Sequence, residues 1–521
     1  MVQDLTSSLF PVTALGIYIH SFFLSISLGF PLVIITLLYK FWRTEDRDYA
    51  EAVRIATSVL GLNFALGAIT GTLVEFGLVQ AWPGTIFAIA TFGLMPLTME
   101  LIAFIGEIVL LILFIVTLGR VKTPASIGIM TIYAGMAILS GALITLVNSW
   151  INVPWGTGSL PNALNPFMPP YGPNAVDARS LIRLKLQLLS QLMAGRSAEA
   201  LQNPAIAQNV GLTLTDPFVA FYSPYAWASV AHAVTAAMIV GISVALAGYA
   251  YRYFRSGNNS SKKMIRAILP ILLFLLILQP TVFGDSMGKM VAVYQPTKFA
   301  LMESAKTTEH NPLMGLLAFG DPQQSIPGFD QFRKACNSLH GQSLGDLTRK
   351  VDPSANPGNL SSASIEQICL SNLQAIDYKM GLISFAYSVK IFLGIIALLS
   401  LCVVVVSVFR VRVLSGIAER LFGSLGQGRL VLIFSIVELA ACAMTASLGW
   451  FIREVGRLPW TVYGLLYPQE LVSPVPIDPI VLAVFTMIFS ITGMVGVFGM
   501  YLVCTRRLKF IELLARGAGV E

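Results

Sequence analysis

The stretch GWFIREVGRLPW, Gly449–Trp460, closes an apolar run that begins near residue 427. A run of that length with so few charges is long enough to cross a bilayer as a helix. Its last turns carry what a helix end at a membrane surface uses. Trp450 and Trp460 suit the headgroup level, Glu454 and Arg457 stand three residues apart, and Pro459 removes a donor and stops the helix. An interfacial cap closed by an Arg–Glu pair is the plain reading. The wall of a binding site is the other, because a guanidinium can grip both oxygens of a carboxylate as a fork.

Reading outward from this span gives the fold class, an all-α polytopic membrane protein. Of 521 residues, 55% are hydrophobic and 12% charged, a composition that calls for many uninterrupted spans. About nine transmembrane helices are expected, near residues 13–40, 55–80, 86–118, 124–150, 225–250, 264–283, 380–408, 427–453 and 474–503. The start MVQDLTSSLF lacks the basic residues and cleavage site of a signal peptide, so the first run reads as a span. The formal charge of +7 sits at span ends and excludes a nucleic-acid surface. Lys40, Arg43, Arg47 and Arg54, then Arg120 and Lys122, then Arg252, Arg255, Lys262, Lys263 and Arg266 fill alternate connections. So do Arg410, Arg412, Arg420 and Arg429, and finally Arg506, Arg507 and Lys509. That alternation predicts the N-terminus outside and the C-terminus inside a cell membrane.

The expected organisation is a first four-helix segment (1–150), an outward insertion or loop (151–224), the fifth and sixth helices (225–283), a large outward loop (284–379) and a C-terminal three-helix segment (380–521). Within the insertion, Ser180 to Met193 has the pattern of a surface amphipathic helix. In the large loop, Gly284 and Gly288 permit a tight path over the membrane surface, and the part after Asn311 reads as largely irregular. Cys336 and Cys369 share that loop, where an oxidising compartment would allow them to bridge, whereas Cys402, Cys442 and Cys504 read as small hydrophobes.

Charged groups inside a bilayer cost about 3 kcal/mol or more, so those that remain are candidates for function. Two of the four histidines, His20 and His232, fall in spans at similar predicted depth. Small residues flank both, Ser25, Ser27 and Gly29 on one side and Ala231, Ala233, Ala236 and Ala237 on the other. They are either packing histidines bonded to carbonyls or iron ligands in helices that leave room for a heme. Glu100 and Glu107 are seven residues apart, which puts them on one helical face within about 20°. Buried there, they suit a proton relay; a pair of neutral acids bonding adjacent helices is the structural alternative. Glu75, at the outer end of the second span, is an interfacial residue or a partner for a heme propionate. In the outward loop, Lys298 and Glu303 offer the donor and proton acceptor that oxidation of a lipid-soluble hydroquinone requires. Glu438 lies inside the eighth span, with Glu454 at its end.

Taken together, His20 in its first-helix context, NFALGAITG (Asn63–Gly71), the acid-bearing third span, His232, the loop pattern GD…G…QPTKFALME and GWFIREVGRLPW resemble subunit I of the cytochrome bd family of quinol oxidases. The resemblance covers nearly all the spans. It implies a quinol:oxygen oxidoreductase subunit with a low-spin heme b, a high-spin heme b, and a heme d or third heme b. It implies His20 as axial ligand to one heme of the oxygen-reducing pair, Glu454 as a ligand of its partner and His232 as a ligand of the low-spin heme. Arg457 and Trp450 would line the heme region, Lys298 and Glu303 match quinol-loop residues, and Glu107, with Glu100 approximately, matches proton-pathway acids. A second hydrophobic oxidase subunit, a small accessory membrane subunit, membrane quinol and oxygen are the implied partners.

The chain departs from the family pattern at several places. Where the family has arginine–x–methionine in the seventh span, the ungapped match places Ser388 and Lys390. Lys390 either ligates iron as a neutral amine or stays charged beside a propionate. Leu458 stands where the family has glutamine, Phe10 where an arginine is usual, and the 151–224 segment is longer. Two other functions therefore stay open: a related heme quinol dehydrogenase with another acceptor, and a transporter coupled through Glu100, Glu107 and Lys390.

Overall fold

A computed structural model describes residues 2–85, 89, 94–157, 160–172, 216–351, 353, 361–409, 426–472 and 477–504. Ser180–Met193, Arg410, Arg412, Arg420, Arg506, Arg507 and Lys509 lie outside the described residues. Among those described, nine helices are long and apolar enough to cross a membrane. In a bilayer the helix is the element that satisfies its own backbone polar groups, so apolar runs of this length have little alternative.

The long helices are α1 (Val2–Thr44), α2 (Arg47–Ala81), α3 (Leu94–Thr117), α4 (Thr123–Asn152) and α5 (Pro224–Ser256). Next comes α6 (Asn259–Leu278), which runs through a π-helical segment, Gln279–Gly284, into α7 (Asp285–Tyr294). The segment between the sixth and seventh spans contains α8 (Pro296–Met302), α9 (Pro312–Phe319), α10 (Phe329–Asn337), α11 (Leu344–Val351) and α12 (Ile365–Asp377). The last spans are α13 (Met380–Phe409), α14 (Gln427–Val455) and, after the short α15 (Pro468–Leu471), α16 (Pro479–Cys504).

Two expectations are corrected. The chain does not fold over the surface at Gly284 and Gly288; it stays helical to Tyr294, because a π turn absorbs Pro280 without ending the helix. The segment after Asn311 is largely helical rather than irregular. Asn311 caps α9 by accepting from the Leu313 and Met314 amides, Ser364 caps α12, and a Cys336–Cys369 disulfide joins α10 to α12.

The short basic connections gather at one end of the bundle. Lys263, at the start of α6, pairs with Asp46 and Asp48 of the α1–α2 turn at 2.7 and 3.0 Å. Arg266 donates to the Val408 carbonyl near the end of α13, and Tyr253 and Lys262 both donate to Gln427 at the start of α14. Gly257, at φ 61°, ends α5, and Asn258 caps α6 by accepting from the Ser260 amide. The helical spans share one apolar core, and the segments between the spans at the other end of the bundle share a second core with the ends of α4 and α14.

Candidate functional site

The site is positioned by one close backbone crossing. A Cβ built on Gly29 of α1 would stand 2.6 Å from the Gly241 Cα of α5, so only glycines let the two helices approach this closely. His20 lies nine residues before Gly29 and His232 nine residues before Gly241. Each imidazole is therefore about 13 Å along its helix from the shared contact. The expected match in depth has this physical origin.

At His20 the surroundings fix the ring's protonation. Thr70 Oγ1 donates to the carbonyls of Leu66 or Gly67, at 3.1 and 3.0 Å, and lies 3.2 Å from His20 Nδ1. With its proton committed to its own helix, the Thr70 hydroxyl can accept from Nδ1, and in that tautomer Nε2 keeps its lone pair. Gly71 makes room: a Cβ there would meet His20 Cε1 at 2.9 Å. Two turns earlier on α2, Asn63 donates to the Phe23 carbonyl and to Ser27 Oγ, at 2.8 and 2.9 Å, and locks α2 against α1. Thr70 was missed as a functional residue in the sequence, although it lies inside the quoted NFALGAITG.

His232 is held differently. Gln279 Nε2, at the start of the π segment, lies 3.1 Å from His232 Nδ1 and 3.0 Å from its carbonyl oxygen, while Gln279 Oε1 is buried without a partner. With the amide donating, Nδ1 is an acceptor and the proton belongs on Nε2, the reverse of His20. Lys390 of α13 and Arg453 of α14 are the cations that bear on this ring. A Cβ on Gly449 would sit 3.6 Å from Lys390 Cε, and the Arg453 guanidinium lies 5.1 Å from the Trp450 ring centre. His232, Lys390, Trp450 and Arg453 thus form one group.

The end of α14 forms a second, adjoining group. Glu454 pairs with Arg457 through one oxygen and accepts from Asn148 Nδ2 at 3.2 Å through the other. Arg453 donates to Ser229 of α5 and Ser149 of α4 at 2.5 and 3.0 Å. Yet Arg453 Nε, Arg457 Nε, Arg457 Nη1 and the Tyr225 hydroxyl are buried with no partner. Each unmet buried donor costs about 1–3 kcal/mol. A cluster of them on two guanidiniums is an incomplete anion cradle. The carboxylates of a heme fit it, and so does a ligand set of one side chain per helix, since a porphyrin brings its own four nitrogens. Among the described residues no three His, Cys, Asp or Glu side chains come together to hold a bare metal ion.

Lys298 joins this group from α8. Its ammonium is 2% exposed and donates to Asn152 Oδ1, Gln295 Oε1 and the Arg453 carbonyl at 3.0, 2.9 and 3.0 Å. Burial holds its pKa well below the usual lysine range; Arg453 and Arg457 add to the shift and Glu454 opposes it. Glu303, at the end of α8, is half-buried and is not among these partners; burial raises its carboxyl. The structure therefore does not present Lys298 and Glu303 side by side. Lys298 ties the segment between the sixth and seventh spans to the ends of α4 and α14, and Glu303 is not part of that tie.

The acids form a third group. Ser140 of α4 donates to Glu100 Oε1 at 3.1 Å and also faces Glu107, which is 5% exposed. Glu75 is exposed, within electrostatic reach of Glu100 and one turn beyond Gly71. The acids thus run from mid-span toward the His20 end of α2.

Comparison with known proteins agrees with this architecture. The family model for cytochrome bd terminal oxidase subunit I matches residues 11–509. Cytochrome bd-II ubiquinol oxidase subunit 1 of Escherichia coli (strain K12) is 23% identical over 573 residues, covering 96% of this chain and 94% of the relative. The putative cytochrome bd menaquinol oxidase subunit I of Bacillus subtilis (strain 168) is 20% identical over 481 residues, covering 91% and 90%. The bd oxidase structure from Geobacillus thermodenitrificans superposes with a TM-score of 0.67 at 17% identity, over 97% of this chain and 99% of that one. At that identity the superposition speaks for the fold alone. The match of the family model over almost the whole length decides the assignment: this chain is a divergent member of the cytochrome bd terminal oxidase subunit I family.

Proposed function

We propose that the chain is the heme-bearing subunit of a quinol:oxygen oxidoreductase, oriented with its N-terminus outside and the 284–379 segment on the outer face. His232 would hold the low-spin heme b at which electrons enter, and His20 and Glu454 the pair of hemes at which oxygen is reduced. Bound hemes supply the one-electron redox steps and, where a coordination position is open, oxygen binding. The rest falls to the protein. Lys298 fixes the outward segment against α4 and α14, so that Glu303, its carboxyl already biased toward holding a proton, can accept one from quinol. On the other path, Glu107 passes inside protons by way of Ser140 to Glu100, and Glu75 leads them toward the His20 end. Releasing quinol protons outside while taking up protons inside separates charge without a separate pump. A second hydrophobic subunit, with a small accessory one, would close the lipid-facing sides.

The observation that carries this reading is the His20 ring held at Nδ1 by Thr70, a contact that suits the tautomer with its lone pair on Nε2. Reduced-minus-oxidised spectra of the purified complex, with and without carbon monoxide, test it. A ligand-reactive high-spin heme is expected. Its absence beside an intact low-spin heme would favour a quinol dehydrogenase with another acceptor, the reading that Lys390 and Leu458 keep open. A heme-free protein that transports protons or solutes would overturn both.

A further inference from the structure

One buried acid takes no part in the scheme above. Glu438, in the middle of α14, is 0% exposed. Its Oε1 accepts from Ser243 Oγ of α5 at 2.7 Å and from Cys442 Sγ at 3.3 Å, while its Oε2 is buried with no partner. Ser435 Oγ, three residues before it, and Thr445 Oγ1, seven after it, are buried orphans as well. Ser435, Glu438, Cys442, Thr445, Gly449 and Arg453 follow each other at spacings of three and four, which is one face of a helix. Eleven residues separate Glu438 from Gly449, a rotation of only about 20°, and Gly449 is where Lys390 packs beside the His232 group. Eleven residues the other way, on the same face, stands Gln427 with Tyr253 and Lys262. A stripe of polar atoms, four of them unsatisfied, thus extends from the basic end of the bundle to the His232 site.

An ionised carboxylate with one bare oxygen is costly here, and a neutral carboxylic acid is not. The titratable groups on elements packed against Glu438 are few. Cys442 touches it; Lys390 on α13 lies beside Gly449; His232 and Tyr249 on α5 stand eleven residues before and six after Ser243. None but Cys442 contacts the carboxyl, so no fixed cation holds it ionised.

We propose that Glu438 is a redox-linked proton site for the His232 side, separate from the Glu107–Glu100 track. The carboxylate gains one proton from the basic end when the cofactor at His232 gains one electron from quinol, forming an O–H bond and keeping the buried charge constant. The proton leaves again when the electron leaves. Leu430 and Val431, both buried, form the only apolar interval between Gln427 and Ser435 among the described residues of this face. A water must enter there for exchange, so exchange is slow. The inference rests on the reading that His232 holds a redox heme.

Reduced-minus-oxidised infrared difference spectra of the purified heme-loaded complex, in light and heavy water, provide the test. We expect a protonated-carboxyl C=O band that shifts in heavy water and is lost in Glu438→Gln, while Glu107→Gln retains it. Should Glu438→Gln not assemble, Ser243→Ala removes the shorter of the two hydrogen bonds to Oε1 and must move the same band. Normal heme spectra with no carboxyl band sensitive to either change would make Glu438 a static acceptor for Ser243 and overturn the proposal. Loss of the redox heme signal in the native complex would instead strike at the reading of His232.

Discussion

His20 and His232 stand the same number of residues from one glycine crossing, yet their rings are prepared in opposite ways. At His20 a hydroxyl with its proton already committed stands against Nδ1 and can accept its hydrogen, which leaves the lone pair on Nε2. At His232 an amide donor faces Nδ1 and two cations bear on the ring, so ligation through Nε2 would require a change of tautomer as Gln279 turned its oxygen inward. Depth is thus a property of backbone packing, and readiness to ligate is a property of the neighbouring side chain. The first site is preorganised; the second is adaptable, and Lys390 is one of the cations that bear on it.

The largest effect should come from removing what the two sites share. Gly241→Val forces a branched side chain into the α1 backbone at Gly29, where overpacking costs about 1–3 kcal/mol or more. Both high-spin and low-spin heme should fall together in the pyridine hemochrome spectrum. Loss at one site alone would mean that the crossing does not set both depths. His20→Ala comes next and should separate the sites, abolishing most of the carbon monoxide-reactive signal and sparing the low-spin bands. Equal preservation of both would remove His20 as a ligand.

Thr70→Val tests preorganisation itself, because it keeps the shape and deletes the acceptor. Loss of such an outer partner typically weakens metal binding about 10- to 100-fold. A weakened high-spin heme with unchanged low-spin heme is the expected outcome in a heme titration of the purified complex. An unaltered affinity would show that the His20 tautomer is set elsewhere.

Much of this was legible in the sequence, for identifiable reasons. Long apolar runs and the bias of basic residues locate spans because bilayer thickness and interfacial charge act on every residue of a segment. His20, His232, Glu100, Glu107 and Glu454 stand out because an ionisable group in a span is rare. Thr70, Gln279 and Arg453 did not stand out. A threonine bonded back to its own helix is ordinary in any span, and only the approach of α1 to α2 turns its hydroxyl into a partner for histidine. Arg453 was hidden beside Glu454 and Arg457, and its two serine partners come from α4 and α5, far away in sequence. The continuous helix from Asn259 to Tyr294 was obscured by glycine and proline, whose local preferences a π turn overrides. Lys298 read as a donor for quinol in the loop, and its burial was not legible because two of the three oxygens that enclose it, from Asn152 and Arg453, lie far away in sequence.

A smaller effect is expected at the adaptable site. Gln279→Glu supplies a carboxylate that can accept from Nδ1, which fixes the ligating tautomer and makes the imidazole a stronger donor to iron. The low-spin heme should bind at least as well and its midpoint potential should fall in a redox titration. A rise, or no change, would mean that the amide already presents its oxygen when heme is bound.

Lys390→Met is the mildest substitution and bears on the departure from the family. If the amine ligates the low-spin iron opposite His232, a thioether of similar length should take its place, keep the low-spin spectrum and raise the potential, since a softer donor favours the reduced metal. Lys390→Ala should then leave a vacant position and turn the spectrum high-spin. If the ammonium instead stands beside a propionate, both variants keep the low-spin bands, and the loss of a buried positive charge lowers the potential in each. The sign of the potential change in the methionine variant therefore separates the two chemistries even where the absorption bands coincide. The packing of Lys390 against Gly449, on the side of α14 that also carries Trp450 and Arg453, supports the first outcome, because Arg453 already supplies the cation that a propionate would need.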